Sequence, residues 1–280
     1  MERKIERISL TIDKDLLDKV DRLVDGNTIK NRSHAIEMLV MKSLGSRIGK
    51  AIILCGGEGT RFRPITYEIP KALIPVRGKP IVSHIMDLLK KYRINDIYLS
   101  VGYLKERIRE TFGDGSKLGL NIQYVEEDKP LGTAGFLKLI EDEMDSSFIV
   151  SNGDELKDIN IDEMYRIHKN NNALITIALT SVSDPSAYGV ARLDGNKILE
   201  FVEKPKKGQE PSNLINAGFY IIEPDVIKMI PKGFSMFERD IFPRVAKMDR
   251  LYGYAFGGQW FDIGTPERYE IALKKWKGLR

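Results

Sequence analysis

A glycine-rich turn is the first part of the sequence whose residue types suggest chemistry. The apolar run AIIL leads, one residue later, into the string GGEGTR at residues 56–61. Glycines placed directly after a buried strand let backbone N–H groups approach an anion closely. The string lacks the Gly-Lys-Ser/Thr ending of a P-loop and the third glycine of a dinucleotide fingerprint, so it favours neither of those sites. It predicts a phosphate-binding turn of another kind.

A carboxylate, Asp154, stands at the end of a second apolar run, FIVSNGD. Strand-like and helix-like patterns alternate around these segments, with a charged helix near 104–112 and another helix near 134–144. Such alternation predicts an α/β, Rossmann-like domain whose mixed, mostly parallel sheet carries helices on both faces. Ligands bind at the carboxyl ends of strands in such sheets, so the glycine turn and Asp154 are both site candidates.

The composition excludes several classes of protein. With 42% hydrophobic and 30% charged residues, the 280-residue chain can build one large domain or two unequal ones. No apolar run approaches the roughly 18 residues that a membrane span needs, and the N-terminus is charged, so we expect a cytoplasmic protein with no membrane partner. The net charge of +4 is spread along the chain and does not by itself indicate nucleic-acid binding. The single cysteine, Cys55, is expected to be buried and unreactive.

A longer string, GGEGTRFRPITYEIPKALIPVRGKP at residues 56–80, resembles the signature of sugar-1-phosphate nucleotidyltransferases. Further blocks follow in the order of that family along residues 50–272: GDGSKLGLNIQY, EDKPLGTAG, SNGDEL, YGV, FVEKP, NAGFYII, FERDIFPRVA and WFDIGTPERY. The resemblance implies an enzyme in which a sugar 1-phosphate oxygen attacks the α-phosphorus of a nucleoside triphosphate. Pyrophosphate leaves, a nucleotide sugar forms, and no covalent enzyme intermediate is needed.

The resemblance assigns the groups that handle phosphate and metal. Arg61 would steady the triphosphate and the departing pyrophosphate, and Lys71 would neutralise charge beside the α-phosphate. Asp154 and Asp262 match the two aspartates of the family that hold Mg²⁺, the expected cofactor. The two aspartates are far apart in the sequence, so their pairing comes from the resemblance and not from spacing.

The resemblance also assigns the two substrate pockets. Glu203 would accept hydrogen bonds from sugar hydroxyls, and Lys204 would bind the sugar phosphate as a fourth catalytic residue. The remaining residues expected to line the sugar pocket are Gly189, Asn216 and Gly218. The residues expected to contact the nucleotide are Gly56, Gly57, Gly59, Thr60, Glu127 and Gly132.

The choice of nucleobase rests on Glu127, which stands where thymidylyl enzymes of the family have glutamine. A carboxylate can accept hydrogen bonds from both N1–H and the 2-amino group of guanine, whereas thymine and uracil offer one N–H beside two acceptors. The sequence therefore favours GTP, and LGTAG followed by NGD resembles mannose-1-phosphate and heptose-1-phosphate guanylyltransferases. The alternatives are a glucose-1-phosphate thymidylyl- or uridylyltransferase and a Glu127 that points to solvent.

A separate domain is predicted at residues 1–48, before the transferase domain at 49–280. Residues 4–13 alternate polar and apolar, which predicts one short strand. Asp13 is expected to cap a first helix that ends near Gly26, and Ser33 is expected to cap a second helix that ends at Gly45. So small a unit cannot bury its apolar faces alone, which predicts a homodimer, or a larger assembly, through this domain.

This segment resembles the ribbon-helix-helix domain of small repressors, in which two strands pair antiparallel and enter the DNA major groove. The resemblance implies that the outward residues Arg7, Ser9 and Thr11 face base edges of a palindromic site. The start of the second helix, at Arg32 and Ser33, would hold a phosphate. Two alternatives remain open: a domain that only dimerises the enzyme, and a DNA-binding regulator whose transferase domain senses a sugar nucleotide.

Overall fold

A computed structural model describes residues 6–44, 48–127 and 129–280 of the chain. The chain divides into two compact units, Met1–Gly45 and Ser46–Arg280. The division falls three residues before the boundary predicted after residue 48, and the roles assigned to the two parts stay predictions.

The first unit contains two helices, α1 (Lys14–Asp21) and α2 (Arg32–Leu44). Asp13 caps α1 as predicted, because its side chain accepts hydrogen bonds from the backbone N–H groups of the first turn at 2.9 and 3.2 Å. The prediction that Ser33 caps the second helix is wrong. The helix begins one residue before Ser33, and the side chain of Asn31 accepts the capping hydrogen bond from the N–H of His34 at 2.9 Å.

The first helix ends earlier than the glycine signal predicts. The side chain of Asp25 accepts hydrogen bonds from the N–H groups of Asn27 at 2.9 Å and Ile29 at 2.8 Å. These bonds stabilise a turn that competes with further helix. The helical spacing of Leu23 and Val24 therefore continues past the point where the helix stops.

Among the described residues, the predicted ribbon strand has no partner strand. Residues 6–13, the described part of that strand, carry no β-structure. Since its expected partner is the same strand of a second copy, the strand stays a prediction. Residues 4 and 5, and Gly45 where the second helix is predicted to end, lie outside the described residues.

The second unit is built on strands. Its described residues form β1 (Lys50–Leu54), β2 (Pro75–Val76), β3 (Lys79–Pro80), β4 (Asp96–Val101), β5 (Asn121–Glu126), β6 (Phe148–Asn152), β7 (Glu155–Lys157), β8 (Ile175–Ser181), β9 (Gly189–Asp194), β10 (Lys197–Glu203), β11 (Leu214–Ile222), β12 (Leu251–Ala255) and β13 (Trp260–Asp262). Nine of them form one sheet in the order β5-β4-β1-β6-β11-β8-β12-β10-β9.

The sheet is mixed, as predicted, but its neighbouring pairs are not mostly parallel. The parallel pairs are β5–β4, β4–β1, β1–β6 and β8–β12, and the other four are antiparallel. The reason is that β11 and β10 run against the other seven strands and each lies between two of them. Two reversed strands therefore account for all four antiparallel pairs.

Helices cover both faces of this sheet. The helices among the described residues of this unit are α3 (Ile81–Lys91), α4 (Lys105–Phe112), α5 (Gly132–Gly135), α6 (Ile161–Asn170), α7 (Asp225–Met229), α8 (Phe242–Lys247) and α9 (Pro266–Lys275), of which α9 packs against β13 outside the main sheet. Ile52 and Ile53 are neighbours in β1, yet they belong to different apolar clusters, because successive side chains of a strand point to opposite faces. One cluster includes residues of α3 and α6, and the other includes residues of α7 and α8.

A small antiparallel pairing of β7 with β13 lies outside the main sheet. Glu155 is the register partner of Asp262, and the N–H of Ile263 donates to the carbonyl oxygen of Asp154 at 3.2 Å. The pairing therefore places the two predicted metal ligands on adjacent strand ends. Over the part of the chain that is described, no helix is long and apolar enough to cross a membrane.

Candidate active site

The glycine turn continues directly from β1 and is held in shape by its neighbours. Gly59 has a φ of +63°, and a Cβ atom there would lie 2.9 Å from Thr66 Cγ2 and 3.1 Å from Lys71 Cβ. Only glycine fits such a position. Thr66 donates to the carbonyl oxygen of Gly59 at 2.8 Å, which fixes the turn. At its start, a Cβ atom on Gly56 would lie 3.3 Å from the backbone nitrogen of Gly102, just beyond the end of β4.

Two of the predicted phosphate ligands follow on this turn. Thr60 and Arg61 lie in a short 3-10 helix, Thr60–Phe62, and Arg61 is exposed. Arg63 is tied to Glu58 at 3.1 Å, whereas Arg61 forms no ion pair with any described residue. Arg61 is therefore the arginine of the turn that is available to an anion. Cys55, just before the turn, is buried as predicted, and burial raises the pKa of its thiol.

Lys71 and Asp154 meet in the structure although 83 residues separate them. The ammonium group of Lys71 donates to Asp154 Oδ2. The Lys71 side chain is 11% exposed and its Nζ lies 5.8 Å from the centre of the Phe62 ring, while Asp154 is 37% exposed. The two charges compensate one another beside the glycine turn, and their roles toward phosphate and metal stay predictions.

Asp262 is held by two residues that the sequence did not single out. Arg268 donates to Asp262 Oδ2, and the Tyr188 hydroxyl donates to the same oxygen at 3.3 Å. Burial, with the nearby Asp262 carboxylate as the second cause, raises the pKa of Tyr188 to about 12, so the hydroxyl keeps its proton. Both residues lie in the quoted blocks YGV and WFDIGTPERY, but no local pattern shows that they meet Asp262.

The two aspartates fit a Mg²⁺ ion in combination with a substrate. Each carboxylate has its Oδ2 engaged by a cationic side chain, and Oδ1 of each accepts no hydrogen bond from the described residues. No group of three or more His, Cys, Asp or Glu side chains suited to a metal occurs in the described part of the chain. Mg²⁺ commonly binds through one or two carboxylates and completes its shell with water and phosphate oxygens. Asp154 and Asp262 supply that pattern.

The predicted sugar residues converge on β9, β10 and β11. Glu203 is the register partner of Gly189, and a Cβ atom on Gly189 would lie 2.8 Å from Glu203 Oε2. Ile215 pairs with Val190, which places Asn216 close to Gly189. Burial, followed by the nearby Glu238, raises the pKa of the Glu203 carboxyl.

Gly218 packs against the segment between β6 and β7 that contains Asp154. Its φ is +56°, and a Cβ atom there would lie 2.2 Å from Asn152 Nδ2 and 2.4 Å from Glu155 Oε1. Asn216 accepts a hydrogen bond from the Gly218 N–H at 2.9 Å and donates to the Tyr220 hydroxyl at 2.8 Å. The sugar residues and the predicted metal ligands therefore form one continuous site.

Lys204 lies at the rim of this pocket. Its side chain is 69% exposed, and its Nζ is 3.8 Å from Glu203 Oε1. The residue has a φ of +49°, which is uncommon for a side chain other than glycine. The N–H of Lys204 donates to the carbonyl oxygen of Tyr188 at 2.9 Å, so the backbone is anchored while the ammonium can reach a phosphate.

Glu127 is half-buried, and both oxygens of its carboxylate accept hydrogen bonds. Its Oε1 accepts a hydrogen bond from the Ser100 hydroxyl at 2.8 Å, and its Oε2 accepts one from the N–H of Leu131 at 2.6 Å. A Cβ atom on Gly56 would lie 3.8 Å from Glu127 Oε1. Gly132 follows with a φ of +79° and has space for no side chain, since a Cβ atom would lie 2.4 Å from the carbonyl oxygen of Ser235. Glu127 therefore lies beside the glycine turn, and Gly132 packs against Ser235; their contact with the nucleotide stays a prediction.

A buried ion pair, which the sequence does not reveal, lies behind the site. Glu155 and Lys157 have side chains that are 9% and 0% exposed, and Lys157 Nζ lies 3.1 Å from Glu155 Oε2. In the sequence, these two charged residues of β7 flank an apolar one, a pattern typical of a strand with one solvent-facing side. Only the fold shows that both side chains point inward.

The predicted DNA-binding residues all lie in the first unit. Arg7, Ser9 and Thr11 are exposed on the segment before α1, and Ser33 is in the first turn of α2. Arg32 is engaged by α1, since its Nε and Nη2 donate to the two carboxylate oxygens of Asp21 at 2.7 and 2.6 Å. The acidic first helix thus neutralises one of the cations assigned to phosphate.

Known proteins resemble the chain over its second unit. Residues 50–277 match the Nucleotidyl transferase family. A mannose-1-phosphate guanyltransferase of Yarrowia lipolytica is 40% identical over 226 residues, which are 79% of this chain and 62% of that protein. A mannose-1-phosphate guanylyltransferase of Mycobacterium tuberculosis is 37% identical over 224 residues, or 78% of this chain and 62% of that protein. The chain spans less than two thirds of the length of these curated relatives.

Solved structures share the fold. HddC from Yersinia pseudotuberculosis, complexed with GMP-PN, has a TM-score of 0.67 and 28% identity, covering 82% of this chain and 100% of that one. A candidate glucose-1-phosphate thymidylyltransferase from Bacillus anthracis, in complex with a sucrose, has a TM-score of 0.74 and 30% identity, covering 80% of this chain and 94% of that one. The residues matched by the family include the glycine turn, both aspartates and the strands of the sugar pocket. The chain belongs to the nucleotidyl transferase family.

Proposed function

We propose that the second unit transfers a guanylyl group from GTP to a mannose-1-phosphate-like sugar 1-phosphate, with Mg²⁺ as cofactor, and releases pyrophosphate. The observation that carries the proposal is the meeting of Lys71, Asp154 and Asp262 beside the glycine turn. The relatives named mannose-1-phosphate guanylyltransferases support the choice of substrates.

The roles of the residues follow from charge and position. Backbone N–H groups of the glycine turn and the exposed Arg61 hold the triphosphate. Lys71 lies beside the position of the α-phosphate, where it offsets the negative charge that grows during transfer. Asp154 and Asp262 would hold Mg²⁺, which supplies further positive charge to phosphate oxygens when bound. The chain itself supplies no nucleophile.

The sugar is oriented by the groups on β9 to β11. Glu203 and Asn216 offer an acceptor and an amide to hydroxyl groups, and Gly189 and Gly218 leave space for the ring. Lys204 reaches the sugar phosphate from the rim. Such positioning brings the attacking oxygen to the phosphorus and lowers the entropic part of the barrier.

The proposal is tested by incubating the full chain with each nucleoside triphosphate and a series of hexose 1-phosphates while pyrophosphate release is followed. We expect the highest kcat/KM for GTP with mannose 1-phosphate. A higher value for dTTP or UTP with glucose 1-phosphate would support the alternative substrates. Absence of pyrophosphate release with every pair would overturn the proposed activity.

Glu127→Gln should shift the nucleotide preference from GTP towards UTP or dTTP. The amide offers a donor to O4 and an acceptor to N3–H of the pyrimidine, while it repels one of the two guanine donors. We expect the ratio of kcat/KM for GTP to that for UTP to fall by about tenfold or more. Ser100→Ala is the control, because it removes a hydrogen bond to the carboxylate but keeps the charge. An unchanged nucleotide ranking in Glu127→Gln would remove Glu127 from the base site.

We propose that the first unit is a ribbon-helix-helix domain that pairs two copies of the chain, and that it presents Arg7, Ser9 and Thr11 to palindromic DNA. The apolar side chains of the predicted ribbon strand support this proposal because they are exposed: Ile8 is 73% and Leu10 is 59% exposed. The ion pair of Arg32 with Asp21 favours dimerisation over DNA binding, because it occupies a cation assigned to phosphate.

A truncated chain that starts at Gly49 should lose this dimer contact and keep its pyrophosphate-releasing activity. Every assigned catalytic residue lies after that point. Sedimentation of both chains measures the assembly, and selection from a random DNA pool at near-physiological salt measures sequence recognition. Arg7→Ala should reduce sequence preference more than the salt dependence of binding. A full-length dimer that enriches no palindrome would leave the unit as a dimerisation domain, and a truncated chain that still dimerises equally would overturn the dimerising role.

A further inference from the structure

The buried pair of Glu155 and Lys157 lies against the sugar pocket without contributing a residue to it. Removing two charges from water is costly, and a pair of apolar side chains would often be as stable in their place. Such a buried ion pair has a reason to be present if its hydrogen bonds fix a geometry that apolar side chains could not fix.

Lys157 makes that kind of contact with the backbone of β11. Its Nζ donates to the carbonyl oxygens of Ala217 at 2.9 Å and Gly218 at 2.8 Å, and it lies 3.4 Å from Ser151 Oγ. The pairing of β11 with β8 shifts its register between Asn216 and Tyr220. Such an irregularity interrupts the ladder of backbone hydrogen bonds, so the two carbonyl groups depend on the ammonium group.

Glu155 connects the same ammonium group to the rest of the site. Its Oε1 accepts a hydrogen bond from Asn152 Nδ2 at 2.7 Å, and its Oε2 accepts one from Trp260 Nε1 at 2.9 Å. Asn152 is the side chain against which Gly218 packs, and Trp260 begins the strand that ends in Asp262. Glu155 is thus the counter-charge of Lys157 and a brace between β6, β7 and β13.

We propose that Lys157 is a positioning residue for the sugar 1-phosphate. By holding the carbonyl groups of Ala217 and Gly218, it keeps Asn216 and Gly218 turned towards the sugar ring. The inference rests on the proposed function, because it makes Glu155 and Lys157 responsible for the affinity for the sugar 1-phosphate, the second substrate of that reaction. The hydrogen bonds of Lys157 go to β11 and β6 and not to the glycine turn, so the affinity for the nucleotide should change less than that for the sugar.

The test separates the charge pair from the hydrogen bonds to the carbonyl groups. Lys157→Met together with Glu155→Gln removes both charges, so no unpaired charge is left buried, but the two carbonyl groups lose their donor. We expect the KM for mannose 1-phosphate to rise about tenfold or more, while the KM for GTP stays within about twofold. The Tm should fall by several degrees, because two carbonyl groups lose their donor. Glu155→Gln alone keeps the amine of Lys157 and should leave the sugar KM within about threefold.

A control variant uses a second ion pair, between Lys169 and Glu223, near the C-terminal end of β11. Lys169 donates to Glu223 at 2.5 Å, one residue beyond β11, and Lys169→Met with Glu223→Gln applies the same chemistry there. This control should change neither KM. A sugar KM that is unchanged in the Lys157 double variant, or that rises equally with the GTP KM, would overturn the proposal.

Amide hydrogen exchange over residues 214–222 reports on the geometry without any turnover. Exchange at the register shift should be about tenfold faster in the Lys157 double variant than in the control. Unchanged exchange would overturn the positioning role even if the protein proved inactive on every substrate pair, so the two proposals fail separately. Should the double variant not fold, Lys157→Leu with Glu155→Gln, which also lacks the donor, gives the same two measurements.

Discussion

Asp154→Ala should leave the protein folded and lower Mg²⁺-dependent pyrophosphate release by about a thousandfold or more. The described side-chain contact of Asp154 is with Lys71 alone, so its removal disturbs little packing. The ion would lose one of two charged protein ligands, and the phosphates of the substrate cannot replace it because they already complete the shell.

The control for this variant is Asp145→Ala, which removes an exposed ion pair with Lys50 at 3.5 Å. Exposed pairs of this kind contribute about 0–1 kcal/mol, so turnover should not change. Circular dichroism and Tm check the fold of both variants. Near-normal turnover of Asp154→Ala across a Mg²⁺ titration would refute the assignment of the metal site.

Lys71→Met should lower kcat by about a hundredfold to a thousandfold, because the growing charge on the α-phosphate loses the nearest cation. The same substitution should strengthen the binding of Mg²⁺. Since Lys71 occupies an oxygen of Asp154 in the absence of ligands, its removal should lower the Mg²⁺ concentration that gives half-maximal rate.

Methionine keeps the apolar stem that packs beside Phe62, so the variant tests charge and not packing. Lys79→Met is the matched control, because Lys79 forms an ion pair with Asp87 in which both side chains are about half exposed. A kcat equal to that of the control variant would show that Lys71 does not face the reacting phosphate.

The sequence was sufficient to predict the residues that are defined by local patterns. The glycine turn follows β1 and Asp154 follows β6, so each lies after the carboxyl end of an apolar strand, as predicted. Local periodicity also predicted helices on both faces of the sheet. These features depend on neighbours within a few positions, and such neighbours are visible in a single chain.

Contacts between distant segments could not be predicted in this way. Tyr188 meets Asp262 although 74 residues separate them. The pairing that places Asp262 beside Asp154 joins two three-residue strands, which are too short to leave a pattern. The direction of β11 and β10 was missed because alternation of strands and helices does not specify where a reversed strand inserts. Glu155 and Lys157 look like solvent-facing charges until the fold buries both.

The pairing of β7 with β13 has a consequence for the order in which the protein matures during synthesis. The strands β1, β4, β5 and β6 are complete once residue 152 has been made, and they pair only with one another and with later strands. Asp262 is made 108 residues after Asp154. Domains begin to fold as the N-terminal part emerges, and contacts of long sequence separation form last. A nascent chain that ends before β13 would therefore have the proposed phosphate-binding turn but only one of the two proposed metal ligands, so catalytic competence would have to await the synthesis of β13.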